Sequence, residues 1–131
     1  MSGISQVSAQ TLCCVYDFTT DGGAIGTINY PNPSIPINSL LISCFCKPVL
    51  TVASGGAATI SIILSGGLGT VIGATGFANF TALATPVQSN IPFSTNMVRF
   101  SAAANFQIVI AGATITAGKF LVICQYISCD I

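Results

Sequence analysis

Six cysteines, three aspartates, two lysines and one arginine are the side chains from which this chain of 131 residues could build a metal site or a catalytic centre. There is no histidine, no glutamate and no tryptophan. Acid/base catalysis and nucleophile–base triads therefore lack their usual parts. Cys13, Cys14, Cys44, Cys46, Cys124 and Cys129 are the thiols. Adjacent residues of a strand point to opposite faces, so Cys13 and Cys14 make a poor joint ligand pair. Cys44 and Cys46 share a face, but a C-x-C without a second close pair or any histidine falls short of a zinc site. The thiols read first as small buried hydrophobes, with disulfides within or between chains as the alternative and metal last. Their redox state is open at this level.

The other chemical motifs dissolve on inspection. Asp17 and Asp21 flank a turn with no third acidic ligand nearby, so they are expected to accept backbone N–H bonds there rather than to hold calcium. Gly67-Leu-Gly69 resembles the start of a dinucleotide loop, but Ile72 stands where the third glycine belongs. Gly112 to Lys119 is one residue too long for a phosphate loop, and Phe120 replaces the hydroxyl that would bind magnesium. Asn79-Phe-Thr81 is a formal glycosylation sequon that has meaning only on secretion. No enzyme, no catalytic or metal residue and no cofactor is expected.

The elements that carry these residues read as strands. Thr11 to Phe18 alternates, with Leu12, Cys14, Tyr16 and Phe18 on one face. Residues 19–23 form a turn, and Ile25 to Tyr30 is a second strand. Pro31, Pro33 and Pro36 force an extended connection. Ser39 to Val52 follows, with Pro48 predicting an edge or a bulge because proline cannot donate to a ladder. Glycine-rich turns bracket Ala57 to Leu64. Residues 70–83 fit either a short strand with a loop or a brief helix. Strands are expected at 85–89 and 96–102, and Asn105 to Ile110 with Lys119 to Ile127 reads as a closing antiparallel pair. The sum is an all-β, jelly-roll-like antiparallel sandwich of about eight strands with little or no helix. Residues 1–10 read as an N-terminal arm and 11–131 as a single domain.

Composition narrows the class. Hydrophobic residues make up 52% of the chain and charged residues only 5%, with zero formal net charge. Roughly a quarter of a soluble domain is normally charged. From Pro48 to Val98 there is no charged residue at all. No basic footprint for nucleic acid or anionic lipid exists. A free monomer this neutral would have poor colloidal stability, so much of the outside is expected to be covered by other protein. A hydropathy window flags residues 50–74 as a membrane segment. Glycines 55, 56, 66, 67, 69 and 73 cut that stretch into strand-length pieces, which fits a sandwich better than a span. The N-terminus lacks a basic region and an apolar core, so no signal peptide is expected and an intracellular folding site is the default.

Several turn motifs occur in a fixed order: Tyr16-Asp-Phe18, Asp21 to Ile28, Ile35-Pro-Ile37, Ser54 to Ile60, Ala84-Thr-Pro-Val87 and Ile115 to Phe120. Together they resemble a group of small β-rich virion proteins of tailed phages, over residues 12–127. The resemblance implies a jelly-roll-like sandwich, often trimeric, attached to the capsid surface as a decoration, cement or head-fibre protein. The chain departs from that group in its six cysteines and few charges. The expected partners are further copies of the chain and the major capsid protein, with no nucleic acid and no membrane, and the expected location is the capsid surface. A tail or fibre module for host attachment is the alternative, with residues 70–83 as its exposed loop; a membrane-interacting protein is the lesser one.

Overall fold

The computed structural model describes residues 9–65, 69–81, 87–88 and 102–128. Among these residues, eight strands run in the order β1 (Ala9–Asp17), β2 (Gly26–Ile35), β3 (Ser39–Ser54), β4 (Thr59–Leu64), β5 (Gly69–Gly76), β6 (Val87–Gln88), β7 (Ala104–Ala111) and β8 (Ile115–Ser128). A single helical turn, α1 (Phe18–Asp21), follows β1, and a 3-10 turn (Phe77–Asn79) follows β5. The first sheet has the order β1-β8-β3-β6 and the second β2-β7-β4-β5, all antiparallel. This is the two-sheet, eight-strand jelly roll, so the expected all-β sandwich is the fold.

Period-two alternation makes the core. On β8, Phe120, Val122, Cys124 and Tyr126 are buried, and on β7 the buried set is Ala104, Phe106, Ile108 and Ile110. Ile60, Ile62 and Leu64 of β4 lie beside the β7 set on the inner face of the second sheet. Each strand thus gives one side to the inter-sheet space and the other to the outside. Burying one such Ile or Phe side chain is worth about 1.5–3 kcal/mol. The uncharged run beginning at Pro48 supplies Val52, Ala58, Ile60, Ile62, Leu64, Val71, Ile72 and Phe80 to this core.

Several expectations are sharpened and one is overturned. Pro48 lies beside a register slip between Pro48 and Leu50, as a residue without an N–H requires. Of residues 70–83, those up to Gly76 belong to β5 and Phe77–Asn79 form the 3-10 turn, so both readings hold in part; residues 82 and 83 lie outside the described residues. Ala9 and Gln10 belong to β1. β2 continues through Pro31 and Pro33 to Ile35, with a register slip between Tyr30 and Ser34. It can do so because it is an edge strand, where missing donors cost no ladder bond. The expected strand at 96–102 lies almost wholly outside the described residues.

The closing pair is the correction. β7 and β8 do not pair with each other: β7 pairs with β2 and β4, and β8 with β1 and β3. The chain crosses from one sheet to the other between Ala111 and Ile115. Gly112 makes the crossing possible with φ at 80°, and a Cβ there would meet the Ala57 carbonyl oxygen at 2.5 Å. A nearby contact is tighter. A Cβ on Gly23 would sit 1.9 Å from the carbonyl oxygen of Ile115, whose N–H donates to the Gly23 oxygen at 2.8 Å. Gly23→Ala should therefore force backbone apart and cost about 2–3 kcal/mol, read as a lower urea midpoint with an unchanged slope; an unchanged midpoint would refute this contact.

Candidate functional site

The carboxylates expected to serve the first turn do so. Asp17 caps α1: its Oδ1 accepts from the Thr19 backbone N–H at 3.0 Å and from the Thr19 hydroxyl at 2.7 Å. Asp21 closes the same turn, its Oδ2 accepting from the Asp17 backbone N–H at 2.9 Å and from the Tyr30 hydroxyl at 3.0 Å. The Tyr16 hydroxyl donates to the Gly22 carbonyl at 2.6 Å. Tyr30 belongs to the second sheet and Asp21 follows the first, so this clasp ties the two sheets at one end. Lys119 adds an ion pair to Asp17 at 4.0 Å; for partly exposed partners such a pair is worth little. The sequence reading anticipated the aspartates and missed the two tyrosine hydroxyls. Their partners depend on which strands become neighbours, and only Tyr16, beside Asp17, carried a local hint.

Burial sets the protonation of the groups around the clasp. Desolvation, reinforced by the charge of Asp21, pushes the Tyr16 phenol up to about 12. Burial and the bond to Asp21 raise Tyr30 as well. Cys14 and Cys46 are each pushed up to about 12, first by burial, so both stay as unreactive thiols at neutral pH. The hydrogen bonds from Thr19 lower Asp17 below its ordinary value.

The cysteines divide three ways. Cys44 and Cys124, opposed in the register of β3 and β8, form a disulfide, which corrects their reading as plain core hydrophobes. The physical reason is pairing: directly opposed residues of antiparallel strands bring their Cβ atoms within bridging range. Cys14 and Cys46 are buried free thiols flanking Val122, as small core residues should be. Cys13 is a free and exposed thiol, and Cys129 lies outside the described residues. Among the described residues, no three His, Cys, Asp or Glu side chains are grouped to hold a metal ion, and no helix is long and apolar enough to cross a membrane. The stretch from Gly112 to Lys119 runs into β8 and not into a helix, so its likeness to a phosphate loop ends there. Residues 66–68 of the other glycine motif are outside the described set. A shallow cleft of about 300 Å3 is lined by Ile63, Leu64, Gly69, Thr70 and Gln107 and offers no titratable group.

What distinguishes the surface is the difference between the two outer faces. With Cys14, Tyr16, Cys46, Phe120 and Val122 buried, the intervening residues of the first sheet point outward. They form the cross-strand rows Cys13–Ile123–Phe45 and Val15–Leu121–Lys47. Val15 is 42% exposed. On the second sheet the corresponding rows are Thr27–Val109–Ser61 and Asn29–Gln107–Ile63, with the Gln107 amide donating to the Asn29 side chain. The first outer face is apolar at its centre, bounded by the polar row Thr11–Gln125–Ser43 and by Lys47 and the Asp17–Lys119 pair, and the second is mainly polar. Ile25, Val49 and Leu50, also exposed, lie at the end of the sandwich that carries the clasp.

No protein-family model and no curated protein sequence matches the chain. A solved structure does match in fold: a chain in the acid-stable capsid of the Helicobacter pylori bacteriophage KHP30. The superposition has a TM-score of 0.61 at 10% identity and covers 91% of this chain and 86% of that one. At that identity the likeness is one of fold.

Two outcomes follow from the clasp. Tyr30→Phe leaves the Asp21 carboxylate with one donor fewer and should cost about 1 kcal/mol in urea unfolding; no loss would mean that the tie between sheets contributes nothing. The second concerns pH. A phenol or thiol raised in the fold stabilises it below its ordinary value and loses that contribution as pH rises through the raised value; a lowered carboxylate does the reverse. With thiol and phenol references of 9.0 and 10.0 and no histidine, the melting temperature should be flat from about pH 5 to 8. It should fall above the thiol reference of 9.0, and again in acid as Asp17, lowered from 3.8, takes up its proton. A step near pH 6.5, where only a histidine normally titrates, would contradict this account.

Proposed function

We propose that this chain is a virion structural protein of a tailed phage, a capsid decoration or cement protein that binds the outer surface of the shell as a homotrimer and stabilises it. The observation that carries the proposal is the fold likeness to a phage capsid chain across 91% of this one. The surface supports it: the outer face of the first sheet offers apolar side chains over three strands, with almost no charge to keep free copies apart. A protein of this kind needs complementary surfaces and no catalytic residues. By binding only the assembled shell it would stabilise that state by mass action.

The outer faces of Ala57–Leu64 and Asn105–Ile110, uncharged in sequence, present mostly Thr, Ser, Asn and Gln. The apolar face of the first sheet is the better surface to lay against the major capsid protein. Contact between copies about a threefold axis is assigned to the end bearing Ile25, Val49 and Leu50. The polar outer face of the second sheet is then left to water. On this reading the chain is made in the host cytoplasm and resides on the capsid, with no nucleic acid, membrane or cofactor as partner.

Sedimentation of the purified chain should give the mass of three copies; a monomer at all concentrations would refute the trimer. Added to shells lacking it, the protein should bind with less than about threefold change in affinity between low and moderate salt, because apolar contact is not screened and the charges on that face are few, Lys47 and the Asp17–Lys119 pair. Release from intact shells over that range would overturn the apolar docking face.

A further inference from the structure

We propose that β1 is a second, self-complementary docking edge, pairing antiparallel with β1 of another copy about a twofold axis at Cys13. Among the described residues, no strand lies on the side of β1 away from β8. An edge strand exposes a row of unpaired N–H and C=O groups, and folded proteins usually blunt it with proline, bulges or inward charges. The other long edges here are blunted. β2 carries Pro31 and Pro33 and slips register between Tyr30 and Ser34. β5 contains Gly69, Gly73 and Gly76, and its pairing with β4 slips twice.

β1 has none of these guards from Ala9 to Tyr16; at its last residue the Asp17 N–H is taken by the Asp21 carboxylate. Its nine residues, Ala-Gln-Thr-Leu-Cys-Cys-Val-Tyr-Asp, pair with β8 in unbroken register from Ala9 to Asp17. There is no proline or glycine, and the single charge stands at the last position. This is the condition of an edge that receives a strand.

The sequence of β1 selects the second copy as that strand and fixes the register. Full overlap in antiparallel sense places Cys13 opposite Cys13, Thr11 opposite Val15, Leu12 opposite Cys14 and Ala9 opposite Asp17. Outward residues then meet outward residues, and inward residues meet inward. A slip of one residue would set the exposed Cys13 row against the buried Cys14 row. A slip of two keeps the faces but shortens the overlap. The two Asp17 carboxylates fall at opposite ends of the pair, roughly 27 Å apart at about 3.4 Å per residue, well beyond the Debye length of about 8 Å. No like charges are opposed.

The pairing continues the first sheet across the axis and places the rows Cys13–Ile123–Phe45 and Val15–Leu121–Lys47 of both copies on one side. It is isologous and closes on itself, so it can tie one trimer to the next without using the threefold contact. It stands on β1 alone; the reading of the chain as a shell protein adds only where it would operate. A strand edge buries less than the roughly 800 Å2 per partner of a stable complex. The pair therefore forms at high protein concentration, or where copies are held side by side.

The test traps the pair through its central residue. The full chain, over a range of concentrations, is treated with copper phenanthroline in air. Two thiols lose two protons and two electrons to the oxidant and join as a disulfide. Peptide mapping should find Cys13 linked to Cys13 of a second chain, in a yield that rises with concentration. Thr11→Lys/Val15→Lys sets lysine against lysine twice across the axis and should lower the yield about tenfold. Mixing it with Thr11→Glu/Val15→Glu should restore the link between unlike chains. Both positions are exposed, and each variant's melting curve shows whether it is folded. Amide exchange of β1 in the unmodified chain, slowing as concentration rises, reads the same pairing without substitutions. Linkage through another cysteine, a yield indifferent to the lysines, or β1 exchange independent of concentration would each overturn the proposal. A trimer that forms without the Cys13 link would overturn this pairing and leave the threefold assembly standing.

Discussion

The two sheets are held together by a contact among three rings. Phe120 of β8 stacks on Tyr16 of β1 with centroids 4.9 Å apart, and Phe80 lies tilted against Phe120 at 5.1 Å. Tyr16 is opposed to Phe120 in the register of the first sheet, whereas Phe80 arrives from the turn that ends β5 in the second. All three are fully buried, and aromatic pairs of this geometry add about 0.5–1.5 kcal/mol beyond their buried area. The backbone follows the rings: the Val52 N–H donates to the Phe80 carbonyl at 2.9 Å, and the Phe77 N–H to the Ala58 carbonyl at 3.0 Å. The Asp21 clasp lies at the same end because Tyr16 serves both arrangements, its ring in the core and its hydroxyl on Gly22. Apolar packing is thus the fastening, and the few polar groups lock its rim.

That division explains which parts of the fold were legible in the residues. Alternation alone placed Cys14 and Tyr16 together on one face of the first strand, and both are buried in the fold, because one face of each strand must leave water. It said nothing of which strand lies beside which. A short glycine-containing turn between two alternating runs serves equally to fold a hairpin within one sheet or to cross between sheets. The segment at Gly112 crosses, and the expected pairing of β7 with β8 failed for that reason. The same limit hid the Cys44–Cys124 bridge. Each thiol was placed on a strand by its neighbours in sequence, but their opposition depends on β3 lying next to β8, 80 residues away. Tyr30 and Asp21 met by the same route.

The surface was legible in total but not in distribution. The scarcity of charge pointed to covered faces, and uncharged strands such as Ala57–Leu64 looked as suitable for contact as any other. In the fold, the polar half of that alternation goes outside on β4, while β1, β3 and β8 carry Cys13, Val15, Phe45, Leu121 and Ile123 there. Apolar character on the first sheet is therefore two-sided. Two-sided strands are what a sheet covered on both faces requires, whereas a sheet with one face in water alternates apolar with polar.

This asymmetry orients the molecule. On the proposed role, the sheet with apolar residues on both faces would be an inner, covered layer and the other an outer, wet one, as in a subunit lying on a larger body. The unguarded edge of β1 belongs to the dry layer. An edge that stays in water needs a guard against unwanted strands; one held flat against a surface, with a single neighbour in reach, needs only a register. The nine-residue run without proline, glycine or internal charge provides one, since full overlap alone aligns every outward residue with another and opposes no like charges. Regularity that would be a hazard for a free protein would become a means of choosing a neighbour if the chain is confined to a shell as proposed.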